Sequence, residues 1–146
     1  RKLEFGGKRF EWTTVRGYLD AVERGGVSVN VATYVGLDNA WQAVMGQSHA
    51  RPTADEFERI KGVLDAALKD GAFGMSSLLA MPPGSLATTD DLVELAKVVA
   101  RNGGTVSAHI RNEGTGVFDA VREMIVVAER AGVPVEIIHI KIADQK

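Results

Sequence analysis

The stretch TTDDLVELAKVVARNGGTVSAHI, residues 88–110, contains the unit that decides the fold. Thr88, with Asp91 three positions later, is typical of a helix N-terminus, and the apolar residues after it recur at helical spacing. Gly103 and Gly104 then end the helix, and a strand follows directly at residues 105–110. The stretch therefore predicts a helix, a tight turn and a strand in succession.

The same order of helix, glycine turn and strand recurs along the rest of the chain. Thr53 and Glu56 form a capping-box pattern at the start of another amphipathic helix, which ends before Gly71. The predicted helices cover residues 13–24, 53–70, 88–101 and 117–131, with a short piece at 41–45. The predicted strands are residues 27–35, 72–79, 105–110 and 133–140.

Alternating helices and strands demand parallel strands joined by right-handed crossovers, so the predicted fold class is α/β. The chain is predicted to open on a helix with no strand before it, and to stop with no helix covering its last strand. A parallel sheet needs both faces covered. We therefore predict that residues 1–146 form a single partial domain, about strands 3 to 6 of a TIM-type (β/α)8 barrel. The competing interpretation is a small open sheet of four strands.

The composition narrows the function classes. The 146 residues are 45% hydrophobic and carry a formal net charge of −2, with the basic residues scattered along the chain, so neither nucleic acid nor a membrane surface is an expected partner. The chain has no cysteine, which removes thiolate ligands but leaves histidine and carboxylate sites open. No apolar run has the length of a membrane span, and we expect a cytoplasmic protein.

Two of the three histidines, His109 and His139, stand at the C-terminal ends of successive predicted strands. Neighbouring strands lie about 4.8 Å apart, so equivalent residues can converge on one metal ion at about 2.1 Å from each imidazole nitrogen. The catalytic face of an α/β barrel is also the C-terminal one. The alternative is two hydrogen-bonded core histidines. The third histidine, His49, is expected to be an exposed loop residue outside the site.

Longer motifs surround both histidines. The segments SAHIRNE (residues 107–113) and IIHIK (residues 137–141) resemble the fifth- and sixth-strand motifs of the N-acyl-D-amino-acid deacylases, or D-aminoacylases, of the amidohydrolase superfamily. The segment GAFGMS (residues 71–76) is similar to the family's fourth-strand motif, and residues 30–36 with 44–46 are similar to its third-strand region. The resemblance covers almost the whole chain in the expected order.

The resemblance implies a hydrolase in which His109 and His139 hold zinc or another divalent metal. In such a site a metal-bound water or hydroxide attacks an amide carbonyl, because the metal lowers the pKa of water from 15.7 to about 7. The family's lysine beside the substrate carboxylate corresponds to Lys141, which shares a strand face with His139. Arg111 either binds a substrate carboxylate or pairs with Glu113 to hold the loop.

The family also carries a His-x-His metal pair on its first strand and a catalytic aspartate on its eighth, and this chain contains neither strand. No catalytic residue is therefore assigned within it. The chain alone is predicted to be inactive and to associate through exposed barrel edges. Leu37 and Asp38 also stand where the family commonly has a histidine after Gly36, which leaves the substrate unassigned.

The leading interpretation is a hydrolase of linear amides with N-acyl-D-amino acids as its small-molecule substrates. One alternative is a cyclic-amide hydrolase of the dihydroorotase or hydantoinase type. Another is a barrel relative that binds a small molecule without catalysis. A free-standing open-sheet binding domain is a third, and it predicts a monomer that is indifferent to chelators.

Overall fold

The computed structural model describes residues 2–5, 8–48 and 50–143. Its five α-helices are α1 (Val15–Gly25), α2 (Leu37–Met45), α3 (Ala54–Lys69), α4 (Thr89–Arg101) and α5 (Val117–Ala131). Its six strands are β1 (Lys2–Phe5), β2 (Lys8–Glu11), β3 (Tyr34–Gly36), β4 (Gly74–Leu78), β5 (Thr105–His109) and β6 (Val135–Ile137).

Four strands form one parallel sheet in the order β3-β4-β5-β6, which is also their order along the chain. Ser76 of β4 lies opposite Ser107 of β5, and Ser107 lies opposite Glu136 of β6. Each strand is joined to the next by at least one helix. The predicted α/β class with parallel strands is confirmed.

The prediction that the chain opens on a helix is wrong, because an antiparallel hairpin precedes α1. In this hairpin Lys2 of β1 lies opposite Glu11 of β2, and Phe5 lies opposite Lys8. Strands of four residues are too short to show a clear alternation of apolar side chains. The signal that could have found them is the sequence Gly6-Gly7 between the two strands, because glycine pairs favour hairpin turns.

The predicted strand at residues 27–35 is also largely wrong, since only Tyr34–Gly36 pairs with a neighbour. Val27, Val29 and Val31 are 53%, 69% and 39% exposed. The neighbouring strand β4 begins at Gly74, which lies opposite Tyr34. In the described part of the chain, the residues before Tyr34 therefore have no strand to pair with, although their valines alternate as they would in a sheet.

Helices α3 and α4 follow their sequence signals closely. Thr53 and Glu56 form a complete capping box at the start of α3, and Thr88 and Asp91 form another at the start of α4. Each box satisfies backbone N–H groups that a helix N-terminus leaves without partners. These local contacts explain why the starts of α3 and α4 were predictable to within a residue, whereas α2 begins at Leu37, four residues before its predicted start.

The hydrophobic core lies between helices α2 to α5 and the parallel sheet. Its fully buried members come from every one of these elements, and the largest are Trp41, Leu37, Ile60, Leu64, Met75, Leu79, Leu95 and Ile110. The sheet is thereby held against the helices, and the carboxyl ends of β4, β5 and β6 share one edge. Among the described residues, no helix is both long enough and apolar enough to cross a membrane.

Candidate metal centre

His109 and His139 lie side by side at the carboxyl ends of β5 and β6. The Nδ1 atom of His109 is 3.0 Å from the Nε2 atom of His139, and the two ring planes meet at 65°. The side chain of His109 is 22% exposed and that of His139 is 48% exposed, so both rings are open to a small ligand. The predicted convergence of the two imidazoles is therefore present in the structure.

The sequence predicted that His139 lies in a strand, but the structure places it in a turn after β6. The strand ends at Ile137, and the backbone of His139 has a φ of 41°. A positive φ is uncommon outside glycine and is retained where the surrounding contacts require it. Here the turn places the imidazole against the ring of His109, which a continued strand would not by itself ensure.

Glu113 is the site residue that the sequence did not assign to the metal centre. Its Oε1 atom is 3.2 Å from Nδ1 of His139, and its Oε2 atom is 4.0 Å from Nε2 of His109. One donor atom from each of His109, His139 and Glu113 lies within 4.8 Å of the others, so these residues form a group able to hold a metal ion. The position of Glu113 four residues after His109 is the signal that could have found it.

Lys141 contacts both oxygens of Glu113. Its Nζ atom is 2.7 Å from Oε1 and 2.6 Å from Oε2, and it approaches Nδ1 of His139 to 3.3 Å. The hydrogen bond from Lys141 is the largest influence on Glu113, and with the lysine charge it holds the pKa of this carboxyl below its ordinary value despite partial burial. Glu113 is therefore an ionised carboxylate, able only to accept hydrogen bonds.

Arg111 points away from this group and anchors the loop that follows β4. Its Nε and Nη2 atoms donate to the two carboxylate oxygens of Glu123 on α5, each at 3.0 Å. Its Nη1 and Nη2 atoms also donate to the backbone oxygens of Ser85 and Ala87, at 3.1 and 2.9 Å. The partner of Arg111 is thus Glu123 and not Glu113, and four of its donor contacts are internal.

The loop at residues 79–88, which we call the rim loop, borders the histidines. Its first residue, Leu79, donates its backbone N–H to the carbonyl oxygen of His109 at 3.0 Å. Gly84, within a short 3-10 turn, packs so closely that a Cβ atom would lie 2.2 Å from the carbonyl oxygen of Leu78. The rim loop is therefore held between β4 and the Arg111 side chain.

Leu37 follows Gly36, at the position where the family that the sequence resembles commonly has a histidine. It is fully buried and is the first residue of α2, so this position belongs to the core. Asp38 beside it reaches toward the rim loop, where burial raises its pKa and a backbone hydrogen bond from Gly84 opposes that rise. Among the contacts described for Leu37 and Asp38, none involves His109 or His139.

A cavity of about 640 Å³ lies elsewhere, between α1, β3, α2 and α3. Its lining includes Tyr18, Tyr34 and Ala66, and Asp70 is its one ionisable carboxylate among the described residues. It lies on the β3 side of the sheet, away from the histidines after β5 and β6. The candidate centre is therefore identified by its metal-binding side chains and not by the volume of a cavity.

His49 lies outside the described residues, so its predicted exposure stays a prediction.

Two curated relatives cover most of this chain. It is 32% identical over 142 residues to a D-aminoacylase of Alcaligenes xylosoxydans xylosoxydans, which is 97% of this chain and 29% of that protein. It is 39% identical over 124 residues to an N-acyl-D-glutamate deacylase of the same organism, covering 85% of this chain and 25% of that protein. The chain therefore spans less than a third of the length of these relatives. No family model matches it.

Solved structures agree with the sequence relatives. The chain superposes on a crystal structure of a D-aminoacylase, described as defining a novel subset of amidohydrolases, with a TM-score of 0.79 and 31% identity over 85% of this chain and 26% of that one. It superposes on the Bordetella bronchiseptica N-acyl-D-glutamate deacylase, solved with zinc and a phosphonate inhibitor, with a TM-score of 0.80 and 37% identity over 84% of this chain and 26% of that one.

Both kinds of match name the same group of proteins, and the four-stranded parallel sheet is what a segment of a TIM-type amidohydrolase barrel contains. By sequence and by fold, this chain belongs to the N-acyl-D-amino-acid deacylase (D-aminoacylase) family of the amidohydrolase superfamily.

Proposed function

We propose that this chain is part of a metal-dependent hydrolase of linear amide bonds that removes the acyl group from N-acyl-D-amino acids. The observation that carries the proposal is the 3.0 Å approach of His109 Nδ1 to His139 Nε2 at the carboxyl edge of the sheet. The relatives named above act on substrates of this class by their names, and one of them was solved with zinc. The cyclic-amide and non-catalytic alternatives have no comparable support.

The two histidines fit a divalent metal by type and by spacing. Two nitrogen ligands at 2.0–2.1 Å on a tetrahedral zinc ion lie about 3.3 Å apart. The observed separation of 3.0 Å is close to that value, and each nitrogen belongs to a separate ring on a separate segment. Without an ion the same contact is a hydrogen bond between the rings, so small ring movements would convert one arrangement into the other. We propose His109 and His139 as metal ligands.

A divalent metal held there would polarise an amide carbonyl and lower the pKa of water. The residues of this chain would position the substrate around it. Lys141 already binds a carboxylate, that of Glu113, and an ammonium group has three donors. Its third polar contact, to Nδ1 of His139, is the longest at 3.3 Å, and its side chain is 53% exposed at the mouth of the site. We propose that Lys141 contacts the carboxylate of the substrate.

The contacts of Arg111 argue against a substrate role for it. Its guanidinium donates hydrogen bonds to Glu123 and to two backbone oxygens of the rim loop. To bind a substrate carboxylate it would have to leave Glu123, whose carboxylate is only 12% exposed and would lose its charged partner. We propose that Arg111 shapes the wall of the site without touching the substrate.

We propose that the chain supplies a part of the catalytic centre. Catalytic zinc sites have three protein ligands, and in the described residues only His109, His139 and Glu113 are grouped closely enough to contribute. The relatives are more than three times as long as the matched segment. We propose that further ligands and the group that moves the proton come from parts of the barrel beyond residues 1–146.

The test is turnover by the full-length protein that contains this sequence. Purified protein would be assayed for amino acid release from matched N-acyl-D- and N-acyl-L-amino acids, with bound metal measured on the same sample. We expect release from the D-forms and its loss in His139→Ala, while Glu94→Ala on the outer side of α4 keeps wild-type turnover. Metal-free protein without turnover, or turnover of cyclic amides alone, would overturn the proposal.

A further inference from the structure

The two histidines each have a second ring nitrogen, and the carboxylate of Glu113 faces both of them. Its Oε1 atom is 3.2 Å from Nδ1 of His139, and its Oε2 atom is 4.0 Å from Nε2 of His109. The other two nitrogens, Nδ1 of His109 and Nε2 of His139, face each other at 3.0 Å. Glu113 therefore lies behind the pair, on the side opposite the facing nitrogens.

A nitrogen that binds a metal must carry no proton, so a neutral imidazole ligand keeps its proton on the other nitrogen. That N–H group then needs an acceptor. Lys141 approaches Nδ1 of His139 to 3.3 Å, but an ammonium group cannot accept a hydrogen bond. Glu113 is the acceptor that the structure places there.

We propose that Glu113 is a positioning residue: its carboxylate accepts the outward N–H group of His139 and faces the outward nitrogen of His109, which favours unprotonated facing nitrogens when a metal is bound. This inference rests on the proposed metal site but assigns Glu113 a place behind the ligands and not among them. Lys141 holds the carboxylate in place through both oxygens, at 2.6 and 2.7 Å. The backbone supports the same arrangement, because Ala143 donates its N–H to the carbonyl oxygen of Glu113 at 2.7 Å.

The arrangement also predicts how the proton of His109 responds to metal. If the proton of His139 is on Nδ1, as proposed, its Nε2 atom is an acceptor and Nδ1 of His109 is the donor of the 3.0 Å contact between the rings. With a metal on both facing nitrogens, His109 would carry its proton on Nε2, and Oε2 of Glu113, now 4.0 Å away, would be the nearby acceptor for it.

The experiment measures zinc affinity in the full-length protein, by competition with a chromophoric chelator, for wild type, Glu113→Ala and Glu113→Gln. Removal of an outer carboxylate costs about 10- to 100-fold in metal affinity. We expect a loss in that range for Glu113→Ala and a smaller one for Glu113→Gln, whose amide oxygen still accepts an N–H group. Glu94→Ala, which removes an exposed partner of Lys97 on α4, is the matched control and keeps wild-type affinity.

Two spectroscopic readouts separate positioning from direct ligation and from a purely structural role. With cobalt(II) in place of zinc, the visible spectrum of Glu113→Gln should keep the wild-type coordination number. In ¹⁵N-histidine spectra of the metal-free protein, His139 should carry its proton on Nδ1 in wild type and lose that preference in Glu113→Ala. If Glu113→Ala does not fold, the isosteric Glu113→Gln still decides the cobalt readout, and the wild-type protein alone shows which nitrogen of His139 carries the proton.

Unchanged zinc affinity in both Glu113 variants would overturn this inference while leaving the proposed function intact. So would the loss of an oxygen ligand from the cobalt spectrum, because Glu113 would then be a ligand. A wild-type His139 protonated on Nε2 in the metal-free protein would also overturn it. Failure of wild type and Glu94→Ala to bind zinc at all would instead contradict the proposed function, and the inference with it.

Discussion

Arg111 and Glu123 form a two-pronged ion pair that joins the end of β5 to the middle of α5. The Nε and Nη2 atoms of Arg111 each lie 3.0 Å from one oxygen of Glu123, and the same oxygen that accepts from Nη2 also accepts from Thr89 Oγ1 at 2.8 Å. Arg111 also donates hydrogen bonds to the backbone oxygens of Ser85 and Ala87, and so holds the rim loop in place. The wall beside the histidines therefore depends on a residue that contacts neither of them.

The first prediction concerns this ion pair. Arg111→Lys keeps the charge but loses the planar fork, so the bonds to Glu123 and to the loop carbonyls cannot all form. We expect a loss of about 2 kcal/mol in the free energy of unfolding, the usual value for hydrogen bonds to charged groups. Urea unfolding measures the loss, and hydrogen exchange should show faster exchange at residues 81–87.

Glu123→Gln supplies the second arm of a double-mutant cycle for this pair. Because both substitutions break the same contacts, the combined variant should be less destabilised than the sum of the single ones. Strict additivity would mean that the pair does not act as one unit. A raised KM in Arg111→Lys with unchanged unfolding would restore the substrate role that the sequence suggested for this residue.

The second prediction concerns Gly84. A Cβ atom there would lie 2.2 Å from the carbonyl oxygen of Leu78, and backbone cannot move aside cheaply. Gly84→Ala should therefore lower the free energy of unfolding by about 1–3 kcal/mol, as overpacked sites do. Gly62→Ala is the matched control, because nothing lies within 4 Å of its added methyl and it sits on the exposed side of α3.

Gly62→Ala should be neutral or stabilising by up to about 1 kcal/mol, since alanine is the better helix former. Thermal unfolding of the two variants beside wild type measures both effects. Equal melting temperatures for Gly84→Ala and wild type would contradict the packing of the rim loop described above.

The sequence predicted the local parts of the fold and missed those that depend on distant partners. The capping boxes of Thr53 with Glu56 and of Thr88 with Asp91 lie within four residues, so their geometry is written in the sequence itself. The valines at residues 27–31 alternate like a strand but are exposed. Alternation of valines indicates that they would lie on one face of a strand, but it does not indicate whether a neighbouring strand exists.

The candidate site divides in the same way. The two histidine motifs were visible because each follows an apolar stretch after a glycine-ended helix. The contacts of Glu113 and Glu123 were not predicted, because the fold brings each residue to its partner. Lys141 lies 28 residues after Glu113, and Glu123 lies on α5 while Arg111 follows β5. The turn at His139 was missed because a residue with a φ of 41° carries no distinctive sequence signal unless it is glycine.

The third prediction concerns acid stability. Burial raises the pKa of Asp91, but hydrogen bonds from Thr88 and Arg51 outweigh it and leave the pKa lower than in the unfolded chain. The folded state therefore favours the ionised carboxylate. This stabilisation is complete above the unfolded pKa of about 3.9 and is lost as the pH falls through the lower folded pKa.

Asp91→Asn should accordingly be less stable than wild type at pH 7, and the difference should shrink as the pH falls below about 4. Urea unfolding at a series of pH values measures it. Asp119→Asn, which removes an exposed partner of Arg122 on α5, should change stability by less than about 1 kcal/mol at pH 7. A wild-type advantage over Asp91→Asn that grows in acid would contradict the sign of this effect.

The fourth prediction concerns residues 1–146 studied by themselves. The flanks of the sheet expose apolar side chains beside β3 and after β6, among them Val29 at 69%, Ile140 at 62% and Ile142 at 67%. Unpaired strand edges and exposed apolar side chains favour association. Light scattering coupled to size exclusion should show a mass that rises with concentration. A stable monomer over that range would support the open-sheet alternative.

The central claim is that His109 and His139 are both ligands of one metal ion. The most direct measurement is the zinc content of the full-length protein after dialysis, for wild type, His109→Ala, His139→Ala and the Glu94→Ala control. We predict that wild type and Glu94→Ala retain zinc and that each histidine variant loses the same ion. Wild-type zinc content in either histidine variant, with the protein folded, would contradict the claim.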